Sequence, residues 1–363
     1  MKGSLQIGKP FGVRVAVHWT FLILIGWVVY INIRMGSSIA QLTETVLFVF
    51  TIFVCVILHE LGHAMAAKRY GIITRSITLL PIGGVASLTG IPEEPKRELF
   101  IAVAGPVVNL AIAVIILTIL LITGFSFNVL SLKYLNNMPF FPALLIVNLG
   151  LFVFNLTPAF PMDGGRMLRA GLGFRLGRLK ATMIAARTGQ VISLIFAFWG
   201  IRNDPVLVLI AAFVFFAAQA ELQDVRSKSR LEGKMTADVL VRNFTPLDIR
   251  MTLSQVLEIL LKGHEEDFIV LEGDRVAGIL TRNMIFKGLS EFGPQIETGD
   301  IMETEFPSFN SNQPLKEVYE KLQLSHIKIA PVLDNDLLIG IIQTSNIHKF
   351  ISVFEALHSK KWL

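Results

Sequence analysis

The chain has 363 residues, of which 53% are hydrophobic and 17% charged, with a formal net charge of +5 at pH 7. These are means over two unlike halves: charges are sparse and clustered from Val15 to Ala220, then frequent and evenly spread from Glu221 onward. That division excludes a wholly soluble protein. The basic excess lies in loop clusters, which read as orientation signals and not as a nucleic-acid surface.

A spanning helix needs about 20 mostly apolar residues. Val15 to Ile33 is the first candidate, with His18 its only titratable side chain before Arg34. His18 adjoins Trp19, so interfacial anchoring is its expected role. This run is long enough to span and no small-residue cleavage site follows, so it reads as an anchor and not a cleaved signal. The second candidate, Thr45 to Ala67, contains His59-Glu60-Leu61-Gly62-His63. Imidazoles at i and i+4 share one helical face and reach a single zinc ion, while the carboxylate beside the first takes a proton from the water that the metal activates. Such groups are costly at membrane depth, so their presence points to function. The single cysteine, Cys55, lies in the same span and excludes a disulfide framework.

Ile72 to Ile91 is apolar but broken by Pro81, Gly83, Gly84 and Gly90. It predicts a β-hairpin or re-entrant loop, which survives at membrane depth only when buried in protein or lining a wet cavity. A third uncharged stretch runs from Leu99 to Leu132, too long for a simple span and expected to end near Gly124. The fourth, Tyr134 to Met162, ends in Asn155-Leu156-Thr157-Pro158-Ala159-Phe160-Pro161-Met162-Asp163-Gly164-Gly165, where prolines and glycines stop the helix. Thr188 to Ile201 and Pro205 to Ala220 read as a tight helical hairpin about Arg202-Asn203-Asp204.

Lys and Arg orient these spans. Lys2, Lys9 and Arg14 precede the first; Lys68, Arg69, Arg75, Lys96 and Arg97 follow the second; Arg166, Arg169, Arg175, Arg178, Lys180 and Arg187 follow the fourth. The opposite loops hold only Arg34, Lys133 and Arg202. Six transmembrane helices with both termini cytoplasmic satisfy every loop, in a bacterial- or archaeal-type cell membrane. Asp163 then reaches the same side and depth as His59 and His63, making it a candidate third ligand; the competing reading is a helix-terminus residue in a Pro/Gly turn. Asn109, Asn148 and Asn155 within spans are expected to bond helix to helix, and Asn155 is the candidate for polarising a substrate carbonyl.

These motifs resemble the site-2 protease family of intramembrane zinc metalloproteases. The resemblance rests on His59, Glu60 and His63, on Asn155 to Gly165, and on a Gly-Pro-x-x-Asn element at Gly105, Pro106 and Asn109. It implies His59, His63 and Asp163 as ligands of one zinc ion per chain, Glu60 as catalytic base, and a transmembrane protein segment as substrate within the lipid bilayer.

Past a polar linker at 221–234, an ungapped repeat with an offset of 62 residues runs from Leu253 to Ile285 and again from Leu315 to Ile347. Each copy reads as a helix (Ser254 to Lys262; Leu315 to Leu324), a strand (Phe268 to Leu271; Ile329 to Leu333) and a second strand ending at Leu280 or Ile342. One copy is too small to bury a core alone, so the two should pack together. The pattern resembles tandem cystathionine-β-synthase (CBS) domains, an α/β module here placed at 235–292 and 293–363. That resemblance implies either an adenine nucleotide ligand between the repeats or a purely structural module, through which the chain could form homo-oligomers. The usual Ser/Thr-x-x-Asp ligand signature is broken, with Thr281 but Met284 in the first copy, and Gln343 and Asn346 in the second. His264 and His326 pair in the repeat and read as structural helix-end residues. The expected function is an intramembrane zinc endopeptidase; control by the repeat module is compatible with the sequence but does not follow from it. The alternative is a CBS-gated metal-ion transporter, which would spread polar groups across membrane depth instead of gathering them on one side.

Overall fold

Strand pairing explains the N-terminal third of the molecule. Ser4–Gly8 (β1) runs antiparallel to Arg14–His18 (β2), and β2 runs parallel to Thr74–Leu80 (β3). β3 turns back into the antiparallel Gly83–Leu88 (β4), giving a four-stranded sheet in the order β1-β2-β3-β4 with β4 at one edge. The computed structural model describes residues 3–81, 83–88, 92–125, 138–263, 265–325, 327–335 and 337–358. The hairpin expected at Ile72 to Ile91 is therefore half of a larger sheet. The first apolar run is also divided: Arg14–His18 is strand, and helix α1 covers Thr20–Arg34. Val15 and Val17 are β-branched and alternate with Ala16 and His18, a period that suits a strand once β3 supplies a partner. Ile77 and Leu79 of β3 are buried beneath it.

Helix α2, Ile39–Lys68, is 30 residues long and opens with a capping box. Ser38 Oγ accepts from the Gln41 amide at 3.3 Å, and the Ser38 amide donates to Gln41 Oε1 at 2.8 Å, so two free helix-end donors are satisfied. α3 (Pro95–Ile122) starts with proline, whose missing N–H is not needed there, and ends beside Gly124, close to the expected stop. α4 (Phe140–Leu156) stops at the Thr-Pro sequence, α5 (Asp163–Leu176) follows, and α6 (Arg178–Asn203) and α7 (Pro205–Arg230) form the expected hairpin at Asp204. Asp204 Oδ1 accepts from the Val206 amide at 2.9 Å to start α7. α6 and α7 are 26 residues each, well beyond their apolar windows, because hydropathy marks only the lipid-facing part of a helix that continues into polar sequence. Lys133 lies outside the described residues.

Among the described residues, α2, α3, α6 and α7 are long and apolar enough to cross a membrane; α1 and α4 are apolar but shorter, at 15 and 17 residues. The chain is a multi-span helical membrane protein with an α/β module. It divides into two compact units, Met1–Val225 and Arg226–Leu363.

The second unit realises the repeat. Leu247–Asp248 (β5), Leu253–Lys262 (α8), Phe268–Glu272 (β6), Arg275–Leu280 (β7) and Arg282–Phe292 (α9) form the first copy. A short helix, Thr298–Ile301 (α10), leads into Phe309–Asn310 (β8), Leu315–Ser325 (α11), Ile329–Asp334 (β9), Leu337–Gln343 (β10) and Thr344–His358 (α12). The sheets, ordered β5-β6-β7 and β10-β9-β8, share a cluster built from Ile269 and Ile279 of one and Ile329 and Ile341 of the other. The leading segments are exchanged. Leu231 and Val239 pack with Phe309, Leu315 and Val318, whereas Ile296 and Ile301 pack with Leu247, Leu253 and Phe268. His264 and His326 lie outside the described residues.

Candidate metal centre

His59 and His63 occupy successive turns of α2, and their Nε2 atoms converge to 3.1 Å. Asp163 Oδ2 meets them from α5, 3.2 Å from His59 Nε2 and 3.0 Å from His63 Nε2. All three residues are buried. Among the described residues, they form the one group of His, Cys, Asp and Glu side chains placed to hold a metal ion.

The position of Asp163 comes from close packing at the glycines after it. A Cβ on Gly164 would overlap the carbonyl oxygens of Leu156 and Thr157, and one on Gly165 would lie 2.6 Å from the Ala159 carbonyl carbon. Two glycines therefore let the first turn of α5 lie directly on the loop that ends α4. One turn later, Arg169 fastens α5 to its neighbours. Its Nε donates to Glu98 Oε1 of α3 at 2.8 Å, its Nη1 donates to Glu221 Oε1 of α7 at 2.5 Å, and its guanidinium lies 4.9 Å from the centre of the Phe160 ring. Arg169 is 1% exposed. Burial alone would lower its pKa, but the two carboxylates more than offset this and hold it above the ordinary arginine value.

The other imidazole nitrogens are also held. His63 Nδ1 lies 2.7 Å from the Ile101 carbonyl oxygen, which can only accept, so Nδ1 carries the proton and Nε2 presents a bare lone pair. His59 Nδ1 lies 2.5 Å from Asn109 Oδ1. Gly105 of α3 leaves the space in front of these nitrogens: a Cβ there would overlap His63 Nε2 and lie 2.7 Å from His59 Nε2. Gly62 allows the approach of α3, since its Cβ would be 2.8 Å from Val108 Cγ2 and 2.9 Å from the Ala104 carbonyl oxygen. Glu60, half-buried, faces β4: a Cβ on Gly84 would be 2.8 Å from Glu60 Cγ.

The donor set fits zinc. Tetrahedral coordination with bonds of about 2.0–2.1 Å places ligand atoms roughly 3.3 Å apart, and the three separations here are 3.0–3.2 Å. Two lone pairs and a carboxylate oxygen facing one another repel unless a cation lies among them. Two imidazoles and one carboxylate match the protein ligands of catalytic zinc sites, which leave a further position for water.

Asn109 and Asn148 bond helix to helix, Nδ2 of the first donating to Oδ1 of the second at 3.1 Å. Asn155 lies in the last turn of α4, and its side chain takes part in none of the hydrogen bonds among the described residues. His18 stands outside the cluster, its Nδ1 2.9 Å from Thr20 Oγ1. The sequence did not reveal that Asn109 addresses His59, or that Arg169 anchors α5. The only available hints were an asparagine at full membrane depth and an arginine one and a half turns after Asp163.

The sequence pattern of Peptidase family M50 matches residues 47–138 and 132–196, which enclose His59, His63 and Asp163, and that of the CBS domain matches residues 299–353. Zinc metalloprotease MJ0392 of Methanocaldococcus jannaschii is 32% identical over 356 residues, covering 98% of each chain. The chain belongs to peptidase family M50. This M50 peptidase is a zinc metalloprotease with a CBS module. Rip3 of Mycobacterium tuberculosis is 26% identical over 397 residues, 98% of the M50 peptidase and 94% of its own length. A solved site-2 protease from Methanocaldococcus jannaschii is 38% identical, covers 60% of this chain and 95% of its own, and superposes with a TM-score of 0.46.

Proposed function

We propose that this M50 peptidase cleaves transmembrane segments of membrane proteins within the bilayer. The observation that carries the reading is the His59–His63–Asp163 triangle on a 30-residue apolar helix, with the edge strand of a sheet passing beside Glu60. Six spans, counting the shorter α1 and α4, with both termini cytoplasmic, put this triangle near the cytoplasmic end of α2 and admit water from that side.

His59, His63 and Asp163 are the proposed zinc ligands. When bound, zinc supplies Lewis acidity, making water nucleophilic near neutral pH and drawing charge from a carbonyl oxygen. Glu60 takes the proton from the attacking water and passes it to the leaving amine. A helical substrate hides its carbonyls in internal hydrogen bonds, so it must unwind before attack. The edge of β4, unpaired among the described residues, restores those backbone bonds by pairing with the extended segment and lays it across Glu60. Asn155, at the end of α4, is the proposed donor that polarises the substrate carbonyl. An adenine nucleotide bound by the CBS pair, and self-association through that pair, are the regulatory partners proposed.

Purified enzyme assayed on a reconstituted transmembrane substrate tests the assignment. Glu60→Gln should retain stoichiometric zinc and lose at least 10³-fold in turnover, consistent with removal of a general base (about 10²–10⁴-fold). Asp163→Ala should lose both zinc and activity. Full activity in Glu60→Gln would remove Glu60 from the mechanism.

A further inference from the structure

Asn148 touches no proposed ligand, yet it is completely buried and joins a closed chain of polar contacts. Its Nδ2 donates to the Leu144 carbonyl oxygen at 2.9 Å and to Cys55 Sγ at 3.6 Å; its Oδ1 accepts from Asn109 Nδ2 at 3.1 Å; and Asn109 Oδ1 faces His59 Nδ1 at 2.5 Å. Cys55 lies one turn before His59 on α2, so the circuit leaves α2, crosses α3 and α4, and returns. Asn109 is also wholly buried, so bulk solvent does not reach either amide to satisfy a reversed orientation.

One end of the circuit fixes its direction. The Leu144 carbonyl can only accept, so the nitrogen of Asn148 must face it and the oxygen must face Asn109. Asn109 then has to present its nitrogen to Asn148 and its oxygen to His59. That oxygen cannot donate, so His59 must carry its proton on Nδ1, which leaves Nε2 bare. Turning either amide over sets two oxygens against each other inside the protein.

From this geometry we infer that Asn148 is a positioning residue for zinc: it sets the orientation of Asn109 and, through it, the tautomer in which His59 can bind metal. The inference rests on His59 being a zinc ligand. Partners that orient a metal-bound histidine typically contribute about 10–100-fold in metal affinity, and here the effect is transmitted across two hydrogen bonds. Asn148→Leu keeps the heavy-atom count and branching but removes the amide, which lets the Asn109 amide turn. Asn148→Asp, protonated in this buried site, still donates to Leu144 and accepts from Asn109.

The test uses full-length protein in detergent, with zinc affinity measured by chelator competition and the His59 Nδ1 proton resonance of the zinc-loaded form measured after histidine labelling. Asn148→Leu should weaken zinc binding about 10-fold or more and move or broaden that resonance, while Asn148→Asp should stay within a few-fold of the parent and keep it. Unchanged affinity and resonance in Asn148→Leu, or equal losses in both variants, would overturn the inference. If the leucine variant does not fold, a more than 10-fold loss in Asn148→Asp would overturn it and parental affinity would support it. His59→Ala is the control for the underlying assignment: if it binds zinc as tightly as the parent, the ligand reading falls, a failure distinct from that of the amide circuit.

Discussion

Two glycines divide the chemistry of the centre between them. A methyl group on Gly105 would enter the space shared by the two Nε2 atoms, whereas one on Gly84 would press on the aliphatic part of Glu60. Gly105→Ala should therefore release zinc, with an affinity loss of at least 10-fold, about 1.4 kcal/mol, by chelator competition. Gly84→Ala should keep zinc and lower kcat, because it displaces only Glu60, the proposed base. Equal zinc contents in the two variants would contradict this division. His59, Glu60 and His63 could be read from the sequence because helix geometry fixes which residues share a face within one turn. Asp163 could be placed by charge bias alone, since Lys and Arg set the depth of each span independently. Gly105 and Gly84 could not be assigned, because their importance arises from contacts with residues 42 and 24 positions away.

The helix that carries Asp163 depends on a buried ionic contact. Arg169 is enclosed by Glu98 and Glu221, and its Nε and Nη2 both donate to the one oxygen Glu98 Oε1. Arg169→Met would leave Glu98, itself buried, without a counter-ion. Removing one partner of such a contact typically costs about 3–5 kcal/mol. The variant should thus melt at a lower temperature and bind zinc less tightly, even though residue 169 touches no ligand. Restoring neutrality with Glu98→Gln in the same chain should recover part of the loss. The elements themselves were partly legible. Apolar windows located α2, α3 and α4 well, but underestimated α6 and α7, whose polar ends remain helical. β2 was read as the start of a span because Val15 and Val17 are as apolar as they are β-branched, and its partner β3 lies about 60 residues along the chain.

At the scale of the whole molecule, the 62-residue repeat gave the architecture of the second unit, since neither copy can enclose a core without the other. The exchange of leading segments was not legible: Thr236 bonds to the Gln313 carbonyl, and Thr298 to the carbonyls of Asp248 and Ile249, pairings that no local pattern encodes. Calorimetric titration of the full-length enzyme with adenosine nucleotides should give saturable binding if the module senses them. Heat no greater than that of buffer dilution would remove nucleotide sensing from the proposal.

The placement of the histidine pair along α2 has a consequence for the fate of what is cut. His59 falls twenty residues beyond Ile39 and nine before Lys68, which at about 1.5 Å per residue is some 30 Å from one end and 14 Å from the other. Under the proposed function, scission at that level would divide a greasy segment unequally. The larger remnant would keep enough hydrocarbon length to stay dissolved in lipid, while the shorter stub would retain only two or three turns, too few to hold whatever it is attached to. Each turnover would then free one side of the severed protein into water and strand the other.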